Sequence, residues 1–228
     1  MNKVALLALL VLGTSAVGHA APIIAKSPSD LVPAGYVVAE TIEGDLNKDG
    51  KTDYVLLIKG TDSANFIDHE YRGTLDRNRR GIVIVFDNNG TYEPALKNLD
   101  CFSSENEDGG VYFAPELSIN INKGNLFINY GHGRYGYWSY TFRYQNSDFE
   151  LIGYDDSQNR GPLIERTTSI NLLTRKMLTR ENINQDAEGG DEKFKETWTR
   201  FTAQAPIKLK DVTDFDYIHM DSVIGPSK

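Results

Sequence analysis

The sequence predicts an all-β fold built as an antiparallel meander. Short runs rich in Val, Ile, Leu and Tyr alternate with turn-forming clusters such as Asp-Asn-Asn-Gly at 87–90, and no long segment has helical periodicity. Strands that recur about every dozen residues, separated by such turns, are typical of antiparallel domains. We expect a propeller-like arrangement, with a β-sandwich or an open barrel as the alternatives.

Eleven segments of the chain have strand character. They are 36–42, 54–58, 82–86, 91–96, 117–122, 126–130, 137–144, 149–154, 169–173, 176–180 and 194–201. The unbroken apolar runs at 54–58 and 82–86 suit strands buried on both faces, whereas 117–122 alternates apolar and polar residues. In the 61–80 connection, Ile67, Tyr71 and Leu75 stand four residues apart, and this spacing predicts one or two helical turns.

The first twenty residues have the pattern of a secretory signal peptide. Lys3 precedes an apolar stretch at 4–12, and Gly18 and Ala20 are the small residues that a signal peptidase reads. We expect cleavage after Ala20, a periplasmic or secreted location, and one all-β domain over 21–228 with a frayed C-terminus.

The charge and the length of the apolar runs argue against non-specific nucleic-acid binding and against a membrane-spanning helix. The formal net charge of −8 opposes non-specific nucleic-acid binding, which needs a positive field. No apolar run reaches the roughly 18 residues of a membrane span. Cys101 is the only cysteine, so we expect it to be buried and inert, with an intermolecular disulfide as the alternative.

Residues 45–53 carry the most specific chemistry, because they read D-x-N-x-D-G-x-x-D. Asp45, Asn47 and Asp49 alternate along the chain, Gly50 allows a sharp bend, Lys51 offers a backbone carbonyl and Asp53 closes the loop. Oxygen ligands in this order suit Ca²⁺, which takes six to eight oxygens. We predict a structural calcium site, the alternative being a metal-free Asp/Asn/Gly turn partly neutralised by its lysines.

This loop resembles the calcium loops of FG-GAP and VCBS-type repeats, which lie on propeller blades of secreted and cell-surface proteins. Over about 36–180 the chain is also similar to an uncharacterised family of bacterial secreted or periplasmic proteins. The segments that carry this similarity are 44–50, 76–81, 141–145, 149–155 and 169–174. The resemblance implies a fold and a location, and no reaction.

Two further segments are candidate binding surfaces. Arg77, Arg79 and Arg80 suit an acidic ligand or partner, or else form a solvated loop that balances the acidic chain. The segment 131–138 alternates glycine with aromatic and basic residues, which indicates either an exposed surface for a sugar or peptide or a tight turn with packed rings. Its candidate residues are His132, Arg134, Tyr135, Tyr137 and Trp138.

The sequence contains no recognisable catalytic motif: neither G-x-S-x-G, H-E-x-x-H, paired cysteines nor a phosphate loop is present. We therefore expect a non-enzymatic binding or interaction protein that meets a protein or an envelope glycan, for example an inhibitor or immunity-type partner. The alternative is a hydrolase of cell-wall or polysaccharide material that uses two carboxylates as acid and base.

Overall fold

The computed structural model describes residues 25–107 and 114–227, so the predicted signal peptide lies outside the described residues. Fourteen strands are found within these ranges. They are β1 (Tyr36–Gly44), β2 (Asp53–Gly60), β3 (Phe66–His69), β4 (Gly73–Asp76), β5 (Arg80–Asn88), β6 (Thr91–Phe102), β7 (Glu116–Asn122), β8 (Asn125–Gly131), β9 (Gly136–Gln145), β10 (Asp148–Arg160), β11 (Leu163–Asn171), β12 (Lys176–Asn182), β13 (Phe194–Ala203) and β14 (Ile224–Ser227).

Helical structure in the described residues is limited to single turns. One short α-helix, α1 (Met220–Val223), precedes β14. The 3-10 turns are Pro28–Leu31, Ser63–Asn65, Gly133–Tyr135, Leu209–Asp211 and Phe215–Tyr217. The chain end expected to fray thus includes α1, in which Val223 is buried, and β14, which pairs with β13.

The strands form three antiparallel sheets, which confirms the all-β prediction. A small sheet has the order β1-β2-β5-β6, and a large sheet runs β14-β13-β12-β11-β10-β9-β8-β7. The hairpin β3–β4 forms a separate two-stranded sheet. None of these sheets closes into a barrel within the described residues, and the small and large sheets share one apolar core, so the sandwich alternative describes the architecture best.

The helical turns expected in 61–80 are replaced by the hairpin β3–β4, apart from the 3-10 turn at 63–65. Ile67 and Leu75 are cross-strand partners, and Tyr71 lies at the exposed tip between them. A hairpin folded about Tyr71 produces the same four-residue spacing as a helix, and this coincidence made the prediction wrong.

The central core lies between the small sheet and one face of the large sheet, which we call the inner face. Val55, Leu57, Ile82 and Ile84 of the small sheet pack in the same cluster as inner-face residues such as Phe142. A second cluster, which includes Leu56, Ile58, Val83 and Val85, lies on the opposite side of the small sheet beneath residues 25–32. Strands β2 and β5 are therefore buried on both faces, as their unbroken apolar runs predict.

A segment at 207–223 extends the core beyond the small sheet. Leu209, Val212 and Phe215 are buried in the central cluster, and the Phe215 ring stacks on Phe102 with centroids 5.1 Å apart. The side-chain amide of Asn98 in β6 donates to the backbone oxygens of Leu209 (2.8 Å) and Val212 (2.7 Å). These contacts hold the segment against both sheets.

Candidate functional site

The predicted calcium loop joins β1 to β2 at the edge of the small sheet that meets β7. The Leu46 side chain is buried in the central core. Gly50 has a φ of 85°, a conformation that glycine adopts without strain. A Cβ atom on Gly44 would lie 2.7 Å from Ile121 Cγ2, so the backbone passes directly against β7. The predicted bend between two β-segments is confirmed, and it contacts both sheets.

The side chains of Asp45, Asn47 and Asp49 bond to the backbone of their own loop. Asp45 accepts hydrogen bonds from the N–H groups of Asp49 (3.2 Å) and Gly50 (3.0 Å). Asn47 Oδ1 accepts from Asp49 N–H, and Asp49 Oδ1 accepts from Lys51 N–H, both at 2.9 Å. Lys51 Nζ lies 3.8 Å from Asp49 Oδ2. The loop is therefore stabilised by Asx-type turns.

Asp53 differs from the other acids of the loop because it is completely buried. Its Oδ2 accepts hydrogen bonds from the backbone N–H groups of Leu46 (2.8 Å) and Asn47 (3.2 Å), whereas its Oδ1 has no hydrogen-bond partner. Burial raises the pKa of Asp53, and hydrogen bonding to the backbone of Leu46, Asn47 and Asp87 offsets part of that rise. A buried carboxylate oxygen without a partner is costly unless a cation or donor meets it.

The donor set of the loop fits a hard cation. In the described ranges, no three His, Cys, Asp or Glu side chains come together as a preformed metal centre. Asp45, Asn47 and Asp49 nevertheless retain acceptor capacity, since each carboxylate or amide oxygen has two lone pairs. Together with the unpartnered Asp53 Oδ1 and the Lys51 carbonyl, these are the oxygen ligands that Ca²⁺ takes.

The arginine candidates are engaged within the chain. Arg79 donates to Asp214 Oδ2 (2.8 Å) and to the backbone oxygen of Asp100 (2.9 Å). Arg80 is buried and donates to the backbone oxygen of Ser103 at 3.0 Å. Burial lowers the pKa of Arg80, and nearby acidic groups oppose that shift. Arg77 is half-buried at the start of the same turn. Arg79 and Arg80 thus hold 100–103 and 214 in place.

The segment 131–138 divides its aromatic residues between two faces. Trp138 lies on the inner face, where it stacks on Tyr130 with centroids 5.2 Å apart, and His132 packs between Tyr135 and Trp138. Tyr137 points to the opposite, outer face and is 49% exposed. A Cβ atom on Gly136 would lie 1.7 Å from the Ser157 backbone oxygen, so only glycine allows this strand pairing. Arg134 is exposed beside the turn at Gly161.

The outer face of the large sheet carries an aromatic residue that the sequence analysis missed. Continuous register from β9 to β13 places Trp198 on the same face as Tyr137, and Trp198 is 65% exposed. The positions between them on this face are mostly polar: Ser139, Asp155, Ser157, Thr167, Ser169, Leu178, Arg180 and Glu196. The local sequence gives no sign of this exposure, because an apolar residue between Thr197 and Thr199 ordinarily indicates a buried strand face. Only the register places Trp198 on the same face as Tyr137.

Cys101 is buried, as predicted. Its burial raises the pKa of the thiol far above the ordinary range, which keeps the sulfur protonated and unreactive.

Comparison with protein-family models, with curated proteins and with solved structures found no match to this chain. Among residues 25–107 and 114–227, no helix has the length and apolar character needed to cross a bilayer.

Proposed function

We propose that this chain is a non-enzymatic, calcium-stabilised binding protein of the periplasm or the secreted fraction, and that it binds a protein partner through the outer face of its large sheet. An inhibitor or immunity-type protein is the concrete form of this proposal. The observation that carries it is the exposure of Tyr137 and Trp198 on one broad, polar face. Tryptophan and tyrosine are the residues most enriched at binding hot spots.

The metal part of the proposal is supported by Asp53. Its buried and unpartnered Oδ1 lies in the loop that also carries Asp45, Asn47 and Asp49. Bound Ca²⁺ would neutralise these carboxylates and cross-link the loop. Because Gly44, the last residue of β1 before the loop, lies against β7, the ion would stabilise the junction of the two sheets.

Thermal unfolding with and without a calcium chelator tests the metal site. At calcium about 100-fold above Kd, binding contributes about 3 kcal/mol, or roughly 5–10 °C for a chain of this size. Chelation should lower the Tm by this amount, and Asp49→Ala should lower it equally and abolish the response to chelator. Asp68→Ala, an exposed acid outside the loop, is the control and should keep the full response. A wild-type Tm insensitive to chelator would remove calcium from the proposal.

Capture of partners from a periplasmic extract tests the binding face. Trp198→Ala should reduce recovery of the captured protein at least about tenfold, the usual effect of removing an aromatic hot spot. Thr197→Ala is the matched control, because residue 197 is the exposed neighbour on the opposite face of β13. Equal capture by both variants would contradict the proposal. Capture of an envelope glycan in place of a protein would show that the outer face binds a glycan. Hydrolysis of the glycan would support the alternative of a carboxylate-dependent hydrolase.

A further inference from the structure

A groove of about 530 Å³ lies beside Trp198 at the β12–β13 end of the outer face. It is lined by Lys176 of β12 and by Trp198, Thr199 and Arg200 of β13. Lys176, Trp198 and Arg200 belong to the outer face by register, and all three residues are exposed. The volume falls within the range of ligand sites. The groove is therefore an accessible part of the proposed binding face.

Three successive cross-strand pairs of β12 and β13 belong to the outer face and differ in charge. They are Arg180–Glu196, Leu178–Trp198 and Lys176–Arg200. The first pair forms a salt bridge in which Arg180 Nε lies 3.0 Å from Glu196 Oε1. The last pair places two cations opposite each other. Residues directly opposite in an antiparallel pair have Cβ atoms about 5 Å apart, and like charges in this position are destabilising.

Neither cation of the last pair has a counter-ion in the part of the chain that the structure describes. Lys176 and Arg200 form no ion pair and no side-chain hydrogen bond with residues 25–107 or 114–227. The whole chain has 32 acidic residues against 24 lysines and arginines, so this pair does not arise from a shortage of acids. Both cations are therefore available to an anionic group of another molecule.

The neighbouring pair sets a second requirement for the occupant. Trp198 is 65% exposed and Leu178 is half-buried, so an apolar side chain placed against them would remove apolar surface from water. The Arg200 guanidinium can donate two parallel hydrogen bonds to one carboxylate. The occupant that fits both pairs combines a carboxylate with an adjacent apolar group.

We propose, on the basis of the function proposed above, that this groove binds an acidic segment of the protein partner in which Asp or Glu adjoins an apolar residue. The carboxylate lies between Lys176 and Arg200, and the apolar side chain packs on Trp198 and Leu178. A glycan of uronic acids has carboxylates but no aliphatic side chain to cover Leu178. Inorganic phosphate offers charge alone.

Fluorescence titration of the full chain with two peptides tests the charge requirement. Of the two tryptophans, Trp138 is stacked on Tyr130 on the inner face, so a change in emission on binding reports Trp198. Ac-Asp-Glu-Leu-Glu-Asp-NH₂ should bind saturably. Its amide counterpart Ac-Asn-Gln-Leu-Gln-Asn-NH₂ should bind roughly tenfold to a hundredfold more weakly, the range for losing a charged hydrogen bond. Absence of saturable binding by the acidic peptide, or equal binding of the two peptides, would overturn the proposal.

Two further probes test the apolar requirement and the source of the carboxylate. Ac-Asp-Glu-Gly-Glu-Asp-NH₂, which lacks the apolar side chain, and trigalacturonic acid should both bind more weakly than the leucine-containing acidic peptide. Equal binding of the glycine peptide would overturn the contact with Trp198 and Leu178. Equal or tighter binding of trigalacturonic acid would overturn the peptide segment in favour of an acidic glycan.

Arg200→Gln then locates the site. It should weaken binding of the acidic peptide about tenfold without lowering the Tm, because it removes one member of a repelling pair. A purely structural Arg200 would lower the Tm when replaced. Lys195→Gln is the matched control, since Lys195 is an exposed cation on the opposite face of the same strand, and it should bind as wild type. Equal loss of peptide binding in the two variants would overturn the proposal.

Capture with the same variants separates the acidic segment from the proposed function. Arg200→Gln should reduce recovery of the captured protein, as Trp198→Ala does, whereas Lys195→Gln should not. Loss of capture in Trp198→Ala but not in Arg200→Gln would overturn the acidic segment and leave the proposed function intact. Equal capture by Trp198→Ala and Thr197→Ala would overturn both.

Discussion

The two halves of the large sheet have the same antiparallel register but differ in what covers their inner faces. On β7–β9, the inner face presents Ile119, Leu126, Ile128 and Phe142 to the small sheet, and all four side chains are buried. On the end of β10 and on β11, it presents Asp156, Arg166 and Thr168 to a cavity instead. The change occurs along β10 after Tyr154, which still packs against the core.

One sheet therefore combines a half whose inner face is apolar and tightly packed with a half whose inner face is polar. The packed half contributes stability because apolar burial is worth about 1.5–3 kcal/mol per large side chain. The far half leaves Asp156 Oδ1 and Arg166 Nε buried without hydrogen-bond partners, which costs stability. Strand β10 belongs to both halves, since Tyr154 packs against the core and Asp156 lies beyond it.

The largest expected effect comes from a cavity made in the packed half. Phe142→Ala should lower the free energy of unfolding by about 3–5 kcal/mol, because Phe142 is fully buried beside Phe215. Trp198→Ala, on the exposed face of the far half, should change it by about 0.5 kcal/mol or less. Chemical denaturation measures both. Similar losses in the two variants would show that the halves do not differ in packing.

An intermediate effect is expected at the start of β10. Asp148 is 6% exposed and meets Lys210 Nζ at 2.6 Å and Lys208 Nζ at 3.3 Å. Burial alone would raise the pKa of Asp148, but the hydrogen bonds from Lys210 and Lys208 outweigh burial and lower it. Asp148→Asn should cost about 1–3 kcal/mol at pH 7.

The same ion pairs predict a direction for the acid dependence of stability. Because the folded pKa of Asp148 lies below its unfolded value of 3.8, this stabilisation is present above that pH and is lost as the pH falls through the folded pKa. The free energy of unfolding, measured by denaturation at several pH values between 2 and 7, should therefore change less with pH for Asp148→Asn than for wild type. An equal change of the free energy of unfolding with pH in the two proteins would exclude Asp148 as a source of the acid dependence.

A small effect of opposite sign is expected at Asp156 in the far half. Burial raises its pKa, so its contribution to stability is greatest below pH 3.8 and falls as the pH rises through the folded pKa. Asp156→Asn removes the cost of a buried charge and should raise the free energy of unfolding at pH 7 by up to about 1 kcal/mol. A loss of stability would mean that Asp156 supports the packed core.

Local patterns predicted most of the strands because each depends on neighbours along the chain. The alternation in 117–122 marks an edge strand with one buried face, and the unbroken run 82–86 marks the two-sided burial of β5. The 61–80 connection failed because Ile67, Tyr71 and Leu75 fit a helix and a hairpin equally well. Cross-strand pairing, which the sequence does not display, decides between them.

The candidate sites also differ in whether they depend on residues close together in the sequence or on strand pairing. The loop at 45–53 is contiguous, so its bend followed directly from the order of Asp, Asn and Gly. The outer face and its groove depend on register: Tyr137 and Trp198 are separated by three intervening strands, and Lys176 meets Arg200 only through the pairing of β12 with β13. A one-residue change in that register would turn Arg200 to the opposite face. Such sites follow from pairing and not from local composition.

The bonds from Asn98 to Leu209 and Val212 also have a consequence for the order in which the protein is assembled. They join positions 111 and 114 residues apart, whereas neighbouring strands in both sheets are connected mostly by short turns. During synthesis the hairpins can form as soon as they leave the ribosome, but the Asn98 bonds must wait until Val212 has emerged. Residues 218–224, which form a wall beside β10–β12, emerge later still, so strands β1–β13 can pair before that wall and β14 are in place.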